Sequence, residues 1–301
     1  MRLASVSVRG ASHLVTPVKF GSTDYLLPLS AIGEVETDLK ALLERGCSFP
    51  ELAEKAQREA DRLADANTRE KALTAGRLIA AAEARFQPPI AEPGKLLVGG
   101  PNHRRALPQK PTFPYAFFKF PSTMVGQGGA ILVPPRAPLI DYFGSYAAVI
   151  GRRAQHVDAA GARSIIAGYV LMAEASRRDF GFNPKERGSV LLSKSTDAST
   201  PIGPWFVSAD ELPDPSGIVI EYSRTSHDVV SFKASELWFG IDEIVSFASR
   251  LELHPGDIIG AGSDTDAGLV PVAADWVPLR PGDYPFTRSQ SLGLLSNDVR
   301  A

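Results

Sequence analysis

The run Leu139-Ile140-Asp141-Tyr142-Phe143-Gly144-Ser145-Tyr146-Ala147-Ala148-Val149-Ile150-Gly151 decides the fold class. Asp141 is its only charged residue, and Pro138 and Gly151 bracket it. Such a run reads as a strand of a β-rich core. Short strand patterns follow at 189–192, 218–222, 229–232 and 258–259, separated by turn residues. Two helical stretches interrupt them, at 158–167 and 241–251. In the second, Ile241, Ile244, Val245, Ala248 and Leu251 recur at helical spacing.

Upstream the texture differs. Residues 1–30 carry short β-type runs broken by Gly10, Gly21 and Pro28. Leu39, Leu42 and Leu43 followed by Gly46 predict a short helix, and Ser48-Phe49-Pro50-Glu51 has the form of a capping box opening a second helix that runs towards Ala66. Between 51 and 85, pairs such as Glu54/Arg58 and Lys55/Glu59 mark solvent-facing helix surfaces. Eleven of the 24 prolines then fall between Pro88 and Pro138, which forbids long helices there. The expected organisation is α+β: a smaller N-terminal α+β domain over 1–90 and a larger, strand-rich domain over 91–301.

Composition excludes several classes of function. With 32 basic and 34 acidic residues the net charge is −2, so no global field draws in nucleic acid or an anionic membrane. Any anionic ligand is held by local charges. Cys47 is the single cysteine, which rules out an internal disulfide and a cysteine-based zinc site. The first ten residues alternate polar and apolar side chains and read as a strand, not a signal peptide. No apolar run approaches the ~20 residues that span a bilayer, so a cytoplasmic location is expected. His13, His103, His156, His227 and His254 show no zinc spacing, and no P-loop, H-E-x-x-H or G-x-S-x-G sequence occurs.

A series of segments, in order, resembles the fumarylacetoacetate hydrolase superfamily over roughly 95–285. Lys95-Leu96-Leu97-Val98-Gly99-Gly100-Pro101-Asn102-His103 resembles its entry strand and G-x-N-Y turn, and Phe118-Lys119-Phe120-Pro121-Ser122 its lysine-proline-serine segment. The 139–151 run is similar to the strand D-Y-E-x-E-L-A-V-V-I-G. Gly168-Tyr169 through Glu174-Ala175-Ser176-Arg177-Arg178-Asp179 is similar to G-Y-x-x-x-N-D-x-S-A-R-D. Lys194 to Asp197, Pro201 to Trp205, His254 to Ile259 and Gly260 to Ser263 resemble the K-x-x-D, P-x-G-P-W, L-x-P-G-D-x-I and T-G-T elements. The resemblance implies a mixed β-roll domain and a homodimer.

It also implies a magnesium ion on both glutamates of E-x-E and on the aspartate of N-D. Here those positions hold Phe143, Ser145 and Glu174. Residues two apart on a strand share a face, so an apolar ring stands where one ligand of a converging pair belongs. The family's catalytic histidine position holds Ala106, with His103 the nearby histidine. No metal or other cofactor is therefore expected.

The family pattern leaves Lys119, Arg178, Lys194 and Ser263 at substrate-lining positions, all able to hydrogen-bond a carboxylate or oxyanion. The expected catalytic residues are Lys194, Glu174 and His103, with Lys119, Arg178, Ser263, Asn102, Phe143 and Ser145 binding a small anionic metabolite. Three functions stay open. The first is a metal-independent enzyme acting on a carboxylate-bearing oxo or enol compound by proton transfer, elimination, decarboxylation, cyclisation or carbon-carbon cleavage. The second is a non-catalytic relative that binds a metabolite or partner. The third is a conventional metal-dependent oxo acid hydrolase in which Glu174 and Asp141 hold the ion.

Overall fold

The computed structural model describes residues 1–133, 139–178, 189–225, 229–263 and 277–301, so His227 and Asp179 lie outside the described residues. Its centre is the antiparallel pair Ile140–Ile150 and Ile166–Arg177, in register with Phe143 opposite Glu174 and Asp141 opposite Ser176. Every residue of the first strand is buried. The sheet continues on one side through Thr200–Ser208 to Arg2–Val8, Ala11–Phe20, Thr23–Pro28 and Ile79–Ala80. On the other side it continues through Ile258–Gly260, Leu96–Gly99 and Ala116–Lys119. One large sheet thus runs through the place where the composition changes. With few helices around it, the architecture is the mixed α and β class expected from the sequence.

Alternation along the central pair sorts its side chains onto two cores. Tyr142, Tyr146, Ala148 and Ile150, with Leu171, Ala173 and Ala175, pack beneath a second sheet of four strands and the Ile241–Ala248 helix. That second sheet lies close because Gly144 has no side chain: a Cβ there would come within 2.6 Å of the Tyr222 Cβ. The opposite face carries Ala147, Val149, Val170 and Met172 against Leu14, Leu27, Leu39, Leu42, Leu52 and Phe206. Asp141, Phe143 and Ser145 stand on this second face, as do Glu174 and Ser176 across from them. The face is apolar at one end and charged at the other.

Most elements form where local chemistry asks for them. Asp38 caps the Leu39–Arg45 helix and Gly46 ends it in a left-handed turn, while the Ser48 hydroxyl accepts from the Glu51 amide to open Phe49–Arg62. That helix stops short of Ala66. Asp65 accepts from the Thr68 amide at 2.9 Å and its hydroxyl at 2.8 Å, capping a separate helix over Ala66–Thr74. Further sequence-based element assignments need correction, among them the 241–251 helix, which ends at Ala248. Residues 189–192 form no strand: Ser189 caps a helix over Val190–Lys194, which leaves Lys194 at its last position. The 158–167 helix ends at Ile165, because Ile166 already belongs to the central strand. Among the described residues, no helix is long and apolar enough to cross a membrane.

Candidate active site

The charged end of the central pair gathers four of the residues expected to do chemistry. Glu174 projects from the Ile166–Arg177 strand, buried, with its Oε2 3.6 Å from the Lys194 Nζ and 3.8 Å from the Lys119 Nζ. Neither ammonium is close enough to hydrogen-bond it, and Glu174 Oε2 receives no hydrogen bond in the structure. Lys119 ends the Ala116–Lys119 strand and donates to the backbone carbonyl of Lys194. Lys194 Nζ donates to Ser176 Oγ at 3.0 Å. Two rings wall this ammonium: its nitrogen lies 5.0 Å from the Phe117 ring centroid and 5.7 Å from that of Phe143.

Burial and like charge set the acid-base properties. Burial pushes the Lys119 ammonium down to about 8; the Lys194 charge adds to this and Glu174 opposes it. Lys194 is lowered as well, first by burial and then by Arg178, again against Glu174. A buried amine lowered towards neutrality can exchange protons with a ligand, and one that keeps its proton can stabilise an anion.

A second charged cluster adjoins the first. Asp141 is buried and takes Arg178 on one oxygen, through Nε at 2.9 Å and Nη2 at 2.6 Å. Its other oxygen takes Arg224 Nη1 at 2.9 Å and the Tyr142 amide at 2.9 Å. Arg178 therefore pairs with Asp141 and not with the Glu174 four residues before it. The Arg178 guanidinium also lies 5.8 Å from the Phe143 ring centre. Among the described residues, four cationic side chains share the two clusters with two carboxylates.

The remaining expected site residues are placed elsewhere. Ser145 Oγ donates to the Gly262 carbonyl at 2.6 Å. Asn102 Nδ2 donates to the Phe239 and Ala261 carbonyls, and its Oδ1 accepts from the Phe239 amide, so its amide group ties the turn after Leu96–Gly99 to the end of Ile258–Gly260 and to the segment that leads into the Ile241–Ala248 helix. Gly262, at a φ of 85°, lies so near the Gly99 carbonyl that a Cβ would collide with it, and buried Ser263 follows it in the same tight junction. His103 is buried edge-on to Phe232 and accepts from the Arg105 amide on Nδ1. Its described neighbours Phe232 and Leu237 belong to the core on the other face of the sheet from Glu174. Sequence reasoning passed over Phe117, Ser176 and Arg224. Only Ser176 left a signal, since it lies two residues beyond Glu174 on a strand and so shares its face.

With this arrangement in view, the comparisons with known proteins define its class. The sequence model described as fumarylacetoacetate (FAA) hydrolase C-terminal matches residues 90–300, so the chain belongs to that family. It is similar to the oxaloacetate tautomerase FAHD2A, mitochondrial, of Bos taurus, with 30% identity over 224 residues, 72% of this chain and 70% of that protein. The corresponding Rattus norvegicus protein, oxaloacetate tautomerase Fahd2a, mitochondrial, is 27% identical over 227 residues, 74% of this chain and 71% of its own. Among solved structures, 5-carboxymethyl-2-hydroxymuconate delta-isomerase from Mycobacterium smegmatis superposes with a TM-score of 0.74 at 24% identity, covering 100% of this chain and 99% of that one. Maleylpyruvate hydrolase from Sphingobium.sp SYK-6 gives 0.69 at 19% identity over 100% and 99% of the two chains. These structural likenesses establish the fold.

Magnesium, which the family pattern implies, asks for several hard oxygen donors. Glu174 supplies one carboxylate, but Phe143 across from it supplies nothing, and the Ser145 hydroxyl is engaged by Gly262. Both Asp141 oxygens are engaged by arginines, and two ammonium groups crowd Glu174. No three His, Cys, Asp or Glu side chains gather as a metal site among the described residues. The donors that the described residues bring together here do not by themselves make a divalent-ion site.

Proposed function

We propose that this chain is an enzyme that moves a proton on a small carboxylate-bearing oxo or enol compound, interconverting keto and enol forms without a bound metal. The observation that carries the reading is the buried Glu174 Oε2, which receives no hydrogen bond from the described residues yet stands 3.6 and 3.8 Å from two lysine ammonium groups. An acceptor left without a donor in a buried site is costly, and a ligand hydroxyl or acidic C–H relieves it. The activities named for the tautomerase relatives are of the same kind.

In this reading Glu174 Oε2 takes the proton from the carbon beside the keto group. The C–H electron pair moves into the new carbon-carbon double bond, and the carbonyl oxygen gains the negative charge. The Lys194 ammonium donates a hydrogen bond to that oxygen as the charge develops there. Glu174 then returns the proton to oxygen, giving the enol. Lys119 holds the Lys194 backbone and adds positive charge, while Arg178 and Arg224 on Asp141 attract the substrate carboxylate.

The test is solvent-deuterium exchange into oxaloacetate, followed by NMR with chelator-treated protein. Exchange is expected to survive chelation and to fall by at least about 100-fold in Glu174→Gln and Lys194→Met. Exchange that appears only after magnesium or manganese is added overturns the proposal, and so do variants that turn over normally. Binding of oxalate with no exchange of any oxo acid favours a metabolite-binding relative instead.

A further inference from the structure

The surroundings of Lys194 carry one step more, which rests on the reading of this site as an anion pocket. We infer that Phe117 is a positioning residue: with Phe143 it forms an aromatic seat that holds the Lys194 ammonium off Glu174 and leaves its N–H groups available to an anionic ligand. The nitrogen stands 5.0 and 5.7 Å from the two ring centres, within the range of cation–π attraction. It is 3.6 Å from Glu174 Oε2, just beyond hydrogen-bond reach, and donates one N–H to Ser176 Oγ at 3.0 Å. An ammonium has three donors. A ring face attracts its charge without consuming a donor, whereas a direct bond to Glu174 would consume one and neutralise the carboxylate as well.

Three further contacts fix the geometry. Lys119 ties the Lys194 carbonyl, so the backbone end of the side chain is anchored. Phe143 is buried on the central strand directly opposite Glu174, and Phe117 is half-buried on the edge strand Ala116–Lys119. Ser176 and Glu174 share a face two residues apart, which sets the distance between the donor's present acceptor and the carboxylate it is kept from. The seat explains why an apolar ring at position 143 belongs to a working anion site: it supports a resident cation. Without the rings, Lys194 closes the short gap to Glu174 and the pocket loses both its cation and its proton acceptor.

The experiment replaces Phe117 by Leu, by Tyr, and by para-fluoro- and trifluorophenylalanine, which keep the ring's shape while draining its negative face. Oxalate is titrated calorimetrically into each chelator-treated protein. The Lys194 side-chain signal is followed in a carbon-13 lysine spectrum, where ring currents shift it upfield. Phe117→Leu is expected to weaken oxalate about 2- to 30-fold, the range of one cation–π contact. Tyr should hold wild-type affinity, the fluorinated rings should weaken it in order of fluorine content, and the upfield shift should shrink only in Leu, where the Phe143 ring alone remains. Equal affinity across the series, or a Lys194 signal without a ring-current shift in wild type, overturns the seat. The shift is read without ligand or turnover. A wild-type protein that shows it but binds no oxalate therefore refutes the anion pocket and with it the role given to the seat, whereas oxalate binding with a flat fluorine series refutes the seat alone.

Discussion

Replacing Glu174 by Gln removes one negative charge and almost no volume from a point where two buried lysines converge. Each ammonium lies under 4 Å from the carboxylate oxygen. At an effective dielectric of about 20, either pair is worth roughly 4 to 5 kcal/mol. The loss is capped because a lysine can release its proton, which costs about 5 kcal/mol at neutral pH for a group of ordinary pKa. A net destabilisation of about 3 to 5 kcal/mol follows, the range seen when one partner of a buried pair is removed.

The pH dependence is sharper still. Lys119 titrates at about 8 in the fold against 10.5 in the free side chain. A base lowered by folding binds more proton in the unfolded chain between those values, so its contribution makes stability rise with pH from about 8 to about 10.5 and leaves it level below. In Glu174→Gln the one charge that opposes the lowering is gone, so Lys119 releases its proton at lower pH. Stability of the variant should therefore already rise with pH below about 8, where wild type is level with respect to this group. Urea unfolding across that range, wild type beside variant, measures both quantities. A loss below about 1 kcal/mol with the same slope in the two proteins would refute the argument that Glu174 is the counter-charge of a buried lysine pair.

Three other substitutions probe the frame around the site. Asp141→Asn leaves Arg178 and Arg224 without their shared carboxylate and should cost about 3 kcal/mol in chemical denaturation, with weakened oxalate binding as the two guanidiniums lose their fixed positions. Gly144→Ala drives a methyl into Tyr222 and should lower stability by about 1 to 3 kcal/mol, read as a lower melting temperature by circular dichroism. Asp65→Ala removes an exposed helix cap and should cost about 1 kcal/mol while leaving oxalate affinity at its wild-type value, which makes it a control for stability loss outside the site.

Much of the fold was legible because its signals are local. The 139–151 run announces a strand by its apolar continuity, and Ser48, Gly46 and the leucines near residue 40 announce helices by caps and periodicity. Caps also account for part of what was misread. Ser189 turned a strand-like run into a helix, and Asp65 opened a further helix just where the Phe49 helix was expected to end, because a single side chain satisfying otherwise orphaned amides outweighs weak residue preferences. The family motifs likewise placed Lys119, Glu174, Arg178 and Lys194 near one site, and the structure gathers all four.

Partner choice was not legible. Arg178 lies only four residues beyond Glu174, but charges pair across strands at distances set by register, so Arg178 met Asp141, thirty-seven positions away, and Arg224 joined it from beyond. His103 was expected beside the catalytic groups because it is near in sequence to the family's histidine position; the chain turns it towards Phe232 and into the other core. Ser145 and Asn102, expected to touch a ligand, have their polar groups engaged in holding the junction at Gly262 and Phe239. Phe117 carried no motif at all, and its role exists only because the edge strand brings its ring to an ammonium seventy-seven residues away. The sequence by itself determined which residue types are present, which elements start where, and that Phe143 and Ser145 stand where the resemblance implies hard-oxygen donors. Only the tertiary structure decided which charges meet, since pairing energies depend on distances and burial that strands far apart in the chain create together.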